Sequence, residues 1–167
     1  ICPYCSFYKH TPGKTDLGAF VEAILDEARF AAKKNLPPLK TIYFGGGTPS
    51  MLSPTHLRRL FTGLRTILDF SAVGEVTLEA NPATFTSRTA HLYEELGVTR
   101  VSLGVQSFIG KHLETLGREH SPMQAITSVH LLREVSNLEI NIDLIFSVPG
   151  QSLLDWGDTL TQALALQ

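Results

Sequence analysis

Hydrophobic positions along the chain alternate between helical spacing and short continuous apolar runs. Residues 16–34 carry the first helical stripe, with Asp16 or Thr15 as the expected N-cap. A short buried strand is predicted at residues 41–44, directly before the glycine run Gly45-Gly-Gly47. The same helix–strand order is repeated four times, and a last helix closes the chain.

Serine and threonine caps mark the start of the later helices. These helices are predicted to begin after Ser53, Thr86, Ser121 and Ser152, and further strands at residues 76–79, 100–104 and 139–146. Short strands rich in Val, Ile and Leu are typical of a parallel sheet whose faces are covered by helices. Two α/β architectures fit this order: an open doubly wound sheet, and a full or partial β/α barrel. In both, ligands bind at the carboxyl ends of the strands.

Polar or glycine residues stand at the end of every predicted strand. They are the run from Gly45 to Pro49, then Glu79 and Asn81, then Gln106 and Ser107, and Asp143 in the fourth strand. Because these ends meet at one edge of the sheet, we expect a single binding site there. The glycine run matches neither the Walker A nor the dinucleotide-binding pattern, but its backbone amides suit an anionic group.

Each of these residues also has a structural interpretation. The glycines can form a tight turn, and Glu79 can cap a neighbouring helix. Gln106 can satisfy the backbone of a loop. Asp143 lies among apolar residues, where a carboxylate needs a partner, and Arg100 or Arg118 could pair with it.

Composition and charge narrow the class of protein. The chain has 167 residues, of which 43% are hydrophobic and 18% are charged, so a packed core is expected. Its 14 basic and 16 acidic side chains give a net charge of −2, which argues against a generally basic nucleic-acid-binding surface. The apolar runs are too short to span a bilayer. We therefore expect no nucleic-acid partner and no transmembrane segment.

Both cysteines lie in Cys2-Pro-Tyr-Cys5, for which three interpretations stay open. The first is a redox pair like that of glutaredoxins. The second is half of a zinc site, with His10 or His120 as further ligands. The third is part of an iron–sulfur ligand set whose remaining member precedes Ile1.

The ordered set of motifs resembles the radical S-adenosylmethionine enzymes, specifically the oxygen-independent coproporphyrinogen III oxidase and haem-chaperone family. Cys2, Tyr4 and Cys5 match the second half of that family's cluster motif, Cys-x3-Cys-x-aromatic-Cys. The other matches are Phe44-Gly-Gly-Gly-Thr-Pro-Ser50, Leu78-Glu-Ala-Asn-Pro82, Arg100-Val-Ser-Leu-Gly-Val-Gln-Ser-Phe108, Leu116-Gly-Arg-Glu-His120 and Asn141-Ile-Asp-Leu-Ile-Phe-Ser-Val-Pro-Gly-Gln151. The resemblance covers essentially the whole chain.

This resemblance implies a partial (β/α)6 barrel, and so favours the barrel over the open sheet. Residues 1–167 would then be a radical S-adenosylmethionine core domain that is incomplete at both ends. Its first strand is expected before Ile1 and its last strand after Gln167. In the family, three cysteine thiolates hold a [4Fe–4S] cluster. Cys2 and Cys5 would be two of them, with the third expected three residues before Ile1.

The resemblance also assigns contacts to S-adenosylmethionine, which the cluster binds and cleaves to a 5′-deoxyadenosyl radical. The backbone of Gly46, Gly47 and Thr48 would receive the methionine amino group, and Tyr4 would lie near the adenine. Four further positions match family contacts to this ligand: Glu79, Gln106, Arg118 and Asp143. Their charges suit a ligand with an ammonium, a carboxylate and ribose hydroxyls.

One position separates two branches of this family. The oxidase branch carries a fourth cysteine two residues after the third, whereas this chain has Phe7, as in the haem-chaperone branch. We therefore favour a haem-chaperone-like protein over an oxidase that converts coproporphyrinogen propionates to vinyls. A thiol oxidoreductase is a remote alternative. Implied partners are porphyrinogen or haem, a flavodoxin- or ferredoxin-type electron donor, and haem-acceptor proteins, in the cytoplasm.

Overall fold

The computed structural model describes residues 2–6, 13, 15–34 and 37–166, in which helices and parallel strands alternate. The strands are β1 (Thr41–Phe44), β2 (Glu75–Ala80), β3 (Arg100–Gln106) and β4 (Glu139–Leu144). The helices are α1 (Leu17–Ala32), α2 (Pro54–Ile67), α3 (Ser87–Glu95), α4 (Gly110–Thr115), α5 (Pro122–Arg133) and α6 (Leu153–Ala165), with a 3-10 turn at Pro49–Met51.

The four strands form one parallel sheet in the order β1-β2-β3-β4. Each strand therefore lies beside its neighbour in the sequence. A doubly wound sheet reverses its strand order at a switch point, whereas a β/α barrel adds its strands in sequence. Among the described strands there is no such reversal, and the order is that of a barrel.

The two faces of the sheet differ in chemistry. Val76, Leu78, Val101 and Leu103 point to a core built with α2, α3 and α5. The alternate positions are mostly polar, and several of them line a pocket, as the next subsection describes. The expectation that helices cover both faces, as in a doubly wound sheet, is thus wrong for the polar face.

Helix α1 joins the body of the domain through a second apolar cluster. Val21 and Leu25 on α1 are fully buried against Leu60 and Leu64 on α2. Gly63 lets the two helices approach closely, because a Cβ atom at this position would lie 2.6 Å from the Leu25 side chain. An exposed ion pair between the two helices adds little to this apolar contact.

The predicted capping residues begin the helices as expected. Each accepts a hydrogen bond from a backbone N–H of the first turn: Asp16, Ser53, Thr86, Ser121 and Ser152. Two strand ends differ from the prediction by two residues, and one short helix was not predicted. β3 continues two residues further, to Gln106, and β4 ends two residues earlier, at Leu144. Helix α4 was not predicted, because six residues are too few to show helical spacing.

His120 is buried beside β3. Its side chain is only 7% exposed, and Nε2 lies 3.1 Å from the carbonyl oxygen of Val105. A carbonyl can only accept, so the neutral ring donates from Nε2. Burial, together with the charge of Arg118, lowers the pKa of His120 to about 4.

No helix within the described ranges is long and apolar enough to cross a membrane.

Tyr93→Phe is expected to stabilise the fold by about 1 kcal/mol, because the Tyr93 hydroxyl is buried with no partner among the described residues. The substitution keeps the ring contact with Phe85, whose centroid is 6.0 Å away. Urea denaturation followed by circular dichroism measures the free energy of unfolding. A decrease would contradict this interpretation of the hydroxyl.

His120 should make the fold sensitive to acid. Its pKa is about 4 in the folded chain and near 6.5 when unfolded, so the unfolded chain binds the extra proton between these values. The free energy of unfolding should therefore fall by on the order of 3 kcal/mol from pH 6.5 to 4. His120→Gln should remove most of this pH dependence, whereas the same change at the exposed His130 should not. Equal slopes in both variants would refute the assignment.

Candidate functional site

A pocket of about 520 Å³ lies at the carboxyl ends of the strands. It brings together all ten residues predicted from the sequence: Cys2, Tyr4, Cys5, Gly46, Gly47, Thr48, Glu79, Gln106, Arg118 and Asp143. These residues come from the cysteine loop, from the connections after β1 and α4, and from β2, β3 and β4. The predicted juxtaposition is therefore present, while their binding roles stay predictions.

The glycine run turns directly over Glu79. Gly46 donates its N–H to Glu79 Oε2 at 3.1 Å, and the Tyr43 hydroxyl donates to Oε1 at 2.8 Å. A Cβ atom at Gly45 would lie 2.6 Å from the Tyr43 ring, so only glycine fits there. Glu79 therefore holds the glycine run and does not cap a helix. Side chains at Gly46 and Gly47 would meet nothing within 4 Å, so this backbone faces open pocket space.

Asp143 is held by neutral donors and not by an arginine. The Ser102 hydroxyl lies 2.9 and 3.1 Å from its two oxygens, and Asn141 Nδ2 donates to Oδ1 at 2.7 Å. Arg100 instead pairs with Glu75 at 3.6 Å. The carboxylate of Asp143 thus has no cationic partner among the described residues, and the suggested ion pairs with Arg100 or Arg118 do not form.

Arg118 joins the cysteine loop to the sheet. Its Nη2 donates to Asn81 Oδ1 at 2.6 Å and to the carbonyl oxygen of Gly104 at 2.7 Å. Its Nη1 lies 3.5 Å from both Cys2 Sγ and the Tyr4 hydroxyl. Arg118 Nε is buried without a partner among the described residues. One guanidinium therefore fixes the loop against the end of β3, and its Nε is shielded from solvent.

The cysteine loop rests on the turn after α4. Gly117 has φ of +62°, and a Cβ atom there would lie 2.7 Å from Cδ of Pro3. The Cys2 thiol lies 4.0 Å from the Gly117 carbonyl oxygen, a weak contact. Two features therefore favour glycine at position 117: its positive φ and the close approach of Pro3.

Gln106 ends β3 in an unusual backbone conformation. Its φ is +69°, in the left-handed region that glycine adopts most easily. Its carbonyl oxygen accepts from Ile145 N at 2.9 Å, which ties the ends of β3 and β4 together. Backbone strain of this kind is often retained at functional sites, and Gln106 lines the pocket.

The zinc interpretation of the cysteine pair gains no support. In the described part of the chain, no three His, Cys, Asp or Glu side chains form a metal-binding group. His120 Nε2 is already bound to Val105. His10 and Phe7 lie outside the described residues. A cluster would need the third cysteine predicted before Ile1.

Ten pocket residues were not assigned to the site from the sequence, among them Asn81, Ser102, Gly104 and His120. The first was noted only as a strand-end residue. A signal was present for the second and third, because Ser102 and Gly104 alternate with Val101, Leu103 and Val105 along β3. Strict alternation places them on the polar face of the sheet. His120 was considered from the sequence only as a possible zinc ligand, and strand alternation does not apply to it because it belongs to a connection.

The pocket fits the ligand that the resemblance implies. S-adenosylmethionine carries an ammonium, a sulfonium and ribose hydroxyls, which suit the carboxylates of Glu79 and Asp143. It also carries a carboxylate, which suits the guanidinium of Arg118, a residue that lines the pocket. The open backbone at Gly46 and Gly47 leaves room for it, and about 520 Å³ is ordinary for a small-molecule site.

Comparisons with known proteins agree with this fold. The model of the radical SAM superfamily matches residues 1–163. Heme chaperone HemW of Lactococcus lactis is 38% identical over 92% of this chain and 40% of that protein. Heme chaperone HemW of Escherichia coli is 37% identical over 99% of this chain and 44% of that protein. The chain thus spans about two fifths of the length of these relatives.

A solved structure gives the same result in three dimensions. Coproporphyrinogen III oxidase (HemN) from Escherichia coli, described as a radical SAM enzyme, matches with a TM-score of 0.90 at 25% identity. The match covers 100% of this chain and 39% of that one. The predicted partial barrel is thereby confirmed, and the chain belongs to the radical SAM superfamily.

Proposed function

We propose that this chain is the S-adenosylmethionine-binding core of a haem-chaperone-like protein that carries a [4Fe–4S] cluster. The observation that supports this most is the single pocket in which two cysteines, two carboxylates, an arginine and a glycine run meet. Each of these groups complements one part of the ligand. The superfamily match and the similarity to proteins named heme chaperones point the same way.

In this proposal the cysteine loop holds the metal and the strand ends hold the ligand. Cys2 and Cys5 supply two of three thiolates. When bound, the cluster supplies one electron for the reductive cleavage of S-adenosylmethionine. The ligand contacts are the backbone at Gly46, Gly47 and Thr48, and the side chains of Tyr4, Glu79, Gln106, Arg118 and Asp143.

Arg118 would act twice in this arrangement. Its Nη atoms already hold the Cys2–Cys5 loop and β3 together, which sets the distance between the metal ligands and the strand ends. Its guanidinium, which lines the pocket, would also pair with the ligand carboxylate. Glu79 would likewise hold the glycine run in place while its free lone pairs face the ligand ammonium.

The haem-chaperone assignment rests on the relatives and on Phe7. Such a protein would carry haem to acceptor proteins in the cytoplasm, with reducing electrons from a flavodoxin- or ferredoxin-type donor. The second candidate function is the oxidative decarboxylation of coproporphyrinogen III, which the structural match to the Escherichia coli oxidase favours. Both candidates would use the same pocket for S-adenosylmethionine.

Glu79→Ala and Asp143→Ala should each weaken S-adenosylmethionine binding to the full-length protein by about 1–3 kcal/mol, the scale for losing a hydrogen bond to a charged group. Isothermal titration calorimetry measures this. Glu134→Ala is the matched control, because Glu134 is an exposed carboxylate that bonds Ser87. Unchanged affinity in both pocket variants would make these carboxylates structural.

The full-length protein, reconstituted with iron and sulfide without oxygen, should develop the visible absorbance of a thiolate-ligated cluster. Cys2→Ala or Cys5→Ala should abolish it, because each removes a ligand. A cluster that forms equally well in both variants would refute the assignment. Two assays then separate the branches: stoichiometric binding of haem without turnover supports the chaperone, and conversion of added coproporphyrinogen III to protoporphyrinogen supports the oxidase.

A further inference from the structure

Asn81 lies between the cysteine loop and the glycine run, the two parts of the pocket to which the proposed function gives different roles. Its side chain directly follows β2, is half-buried and lines the pocket. On one side its Oδ1 accepts from Arg118 Nη2 at 2.6 Å, and on the other its Nδ2 donates to the Thr48 hydroxyl at 3.1 Å. One carboxamide therefore contacts both the arginine that holds the cysteine loop and the residue that ends the glycine run.

The chemistry of these two neighbours explains the amide at position 81. A guanidinium can only donate hydrogen bonds, so Arg118 needs an acceptor, and the carboxamide oxygen supplies it. The amide nitrogen then faces Thr48, whose hydroxyl oxygen accepts. The reverse orientation of the amide would set its NH2 group against the guanidinium. An aliphatic side chain of the same size would make neither hydrogen bond.

The backbone of Asn81 is fixed by a ring of hydrogen bonds. Ser50, in the 3-10 turn after the glycine run, is only 2% exposed, and its hydroxyl accepts from Asn81 N at 3.3 Å. The Thr84 hydroxyl donates to the Asn81 carbonyl oxygen at 2.6 Å. Because the Thr84 hydrogen is used there, Ser50 donates to Thr84 at 2.6 Å and closes the ring. The carboxamide therefore extends from a backbone that has little freedom to move.

A continuous path of contacts thus runs from the first cysteine to the glycine run. It begins with Arg118 Nη1, which lies 3.5 Å from Cys2 Sγ. Nη2 of the same guanidinium is held twice, by Asn81 and by the carbonyl oxygen of Gly104. Without the Asn81 amide, Nη2 would keep one of these two acceptors and the guanidinium would be free to turn about it. A change at position 81 is therefore expected to reach the thiolate as well as the glycine run.

We propose that Asn81 is a positioning residue that holds the cysteine loop and the glycine run at a fixed separation, so that the metal ligands and the S-adenosylmethionine contacts face each other correctly. This rests on the proposed function and deepens it, because it names the side chain that joins the two parts of that site. In this role Asn81 does not touch the ligand. It acts on the cysteine loop through Arg118 and on the ligand through Thr48.

A double-mutant cycle of Asn81→Leu and Thr48→Val tests the ligand side, in the full-length protein reconstituted with its cluster. The affinity for S-adenosylmethionine is measured by calorimetry. Each single variant should weaken binding about 3- to 10-fold, the scale of one hydrogen bond. The double variant should be no weaker than Asn81→Leu alone, because the Thr48 hydroxyl acts through Asn81. Direct contacts of both side chains with the ligand would instead multiply, to about 10- to 100-fold.

The reduction potential of the cluster, measured without S-adenosylmethionine, tests the cysteine side. A hydrogen bond donated to a ligating sulfur stabilises the reduced, more negative cluster and so raises its potential. Asn81→Leu should therefore lower the potential, because Arg118 loses one of the contacts that hold it beside Cys2. A general loss of stability would not by itself move the potential of the folded protein in this direction.

Rescue and a matched control separate positioning from a general effect on the fold. Thr48→Ser keeps the hydroxyl that Asn81 holds, and it should bind S-adenosylmethionine within about twofold of the unmodified protein, on the same hydrogen-bond scale. Asn137→Leu is the control, because Asn137 is an exposed asparagine outside the pocket that donates to Glu94 at 2.8 Å. It should change neither the affinity nor the potential.

The results that would overturn the positioning role differ from those that would overturn the proposed function. Losses that multiply in the double variant, a Thr48→Ser variant as weak as Thr48→Val, or an unchanged potential in Asn81→Leu would each overturn the positioning role alone. An unmodified protein that forms no cluster or binds no S-adenosylmethionine would overturn both. If Asn81→Leu does not fold, Asn81→Ala replaces it, because it removes the same two hydrogen bonds without adding bulk, and the same outcomes decide.

Discussion

The pocket depends on the strict alternation of side chains along parallel strands. In β2 and β3, residues such as Leu78 and Val101 point into the helical layer, and the residues between them point the other way. A helix-covered core on one side fixes the register of every strand, because a shift of one residue would bury Glu79 and expose Leu78. The same apolar packing that holds the sheet together therefore also determines which polar groups meet in the pocket.

Arg118 and Glu79 connect the pocket face of the sheet to the loops beside it, and each binds more than one partner. Arg118 binds the cysteine loop, an asparagine after β2 and the backbone of β3 with one guanidinium. Glu79 binds the glycine run and Tyr43 with one carboxylate. Since planar, multiply bonded groups fix direction as well as distance, the loop and the glycine run have little freedom relative to the strands.

Much of this arrangement could be predicted from the sequence, for identifiable reasons. Capping serines followed by apolar stripes are local signals, and the helices begin where Ser53, Ser121 and Ser152 place them. The strand-end rule gathered Glu79, Gln106 and Asp143 at one edge without any knowledge of contacts. The partners of these groups were harder to find. Whether Asp143 meets an arginine or Ser102 depends on the register between β3 and β4, which no local pattern encodes. Helix α4 is too short for a periodic signal. The roles of Tyr43 and Gly117 appear only when ring and backbone distances are known.

Two different requirements meet at Gln106, one from its backbone conformation and one from the pocket. With φ of +69°, the end of β3 would be more relaxed with a glycine, and yet an amide side chain stands there and reaches the pocket. Selection for thermal stability alone would favour glycine at position 106, whereas selection for ligand binding would keep glutamine. In a population of variants, the residue at position 106 would therefore show whether stability or ligand binding had been selected.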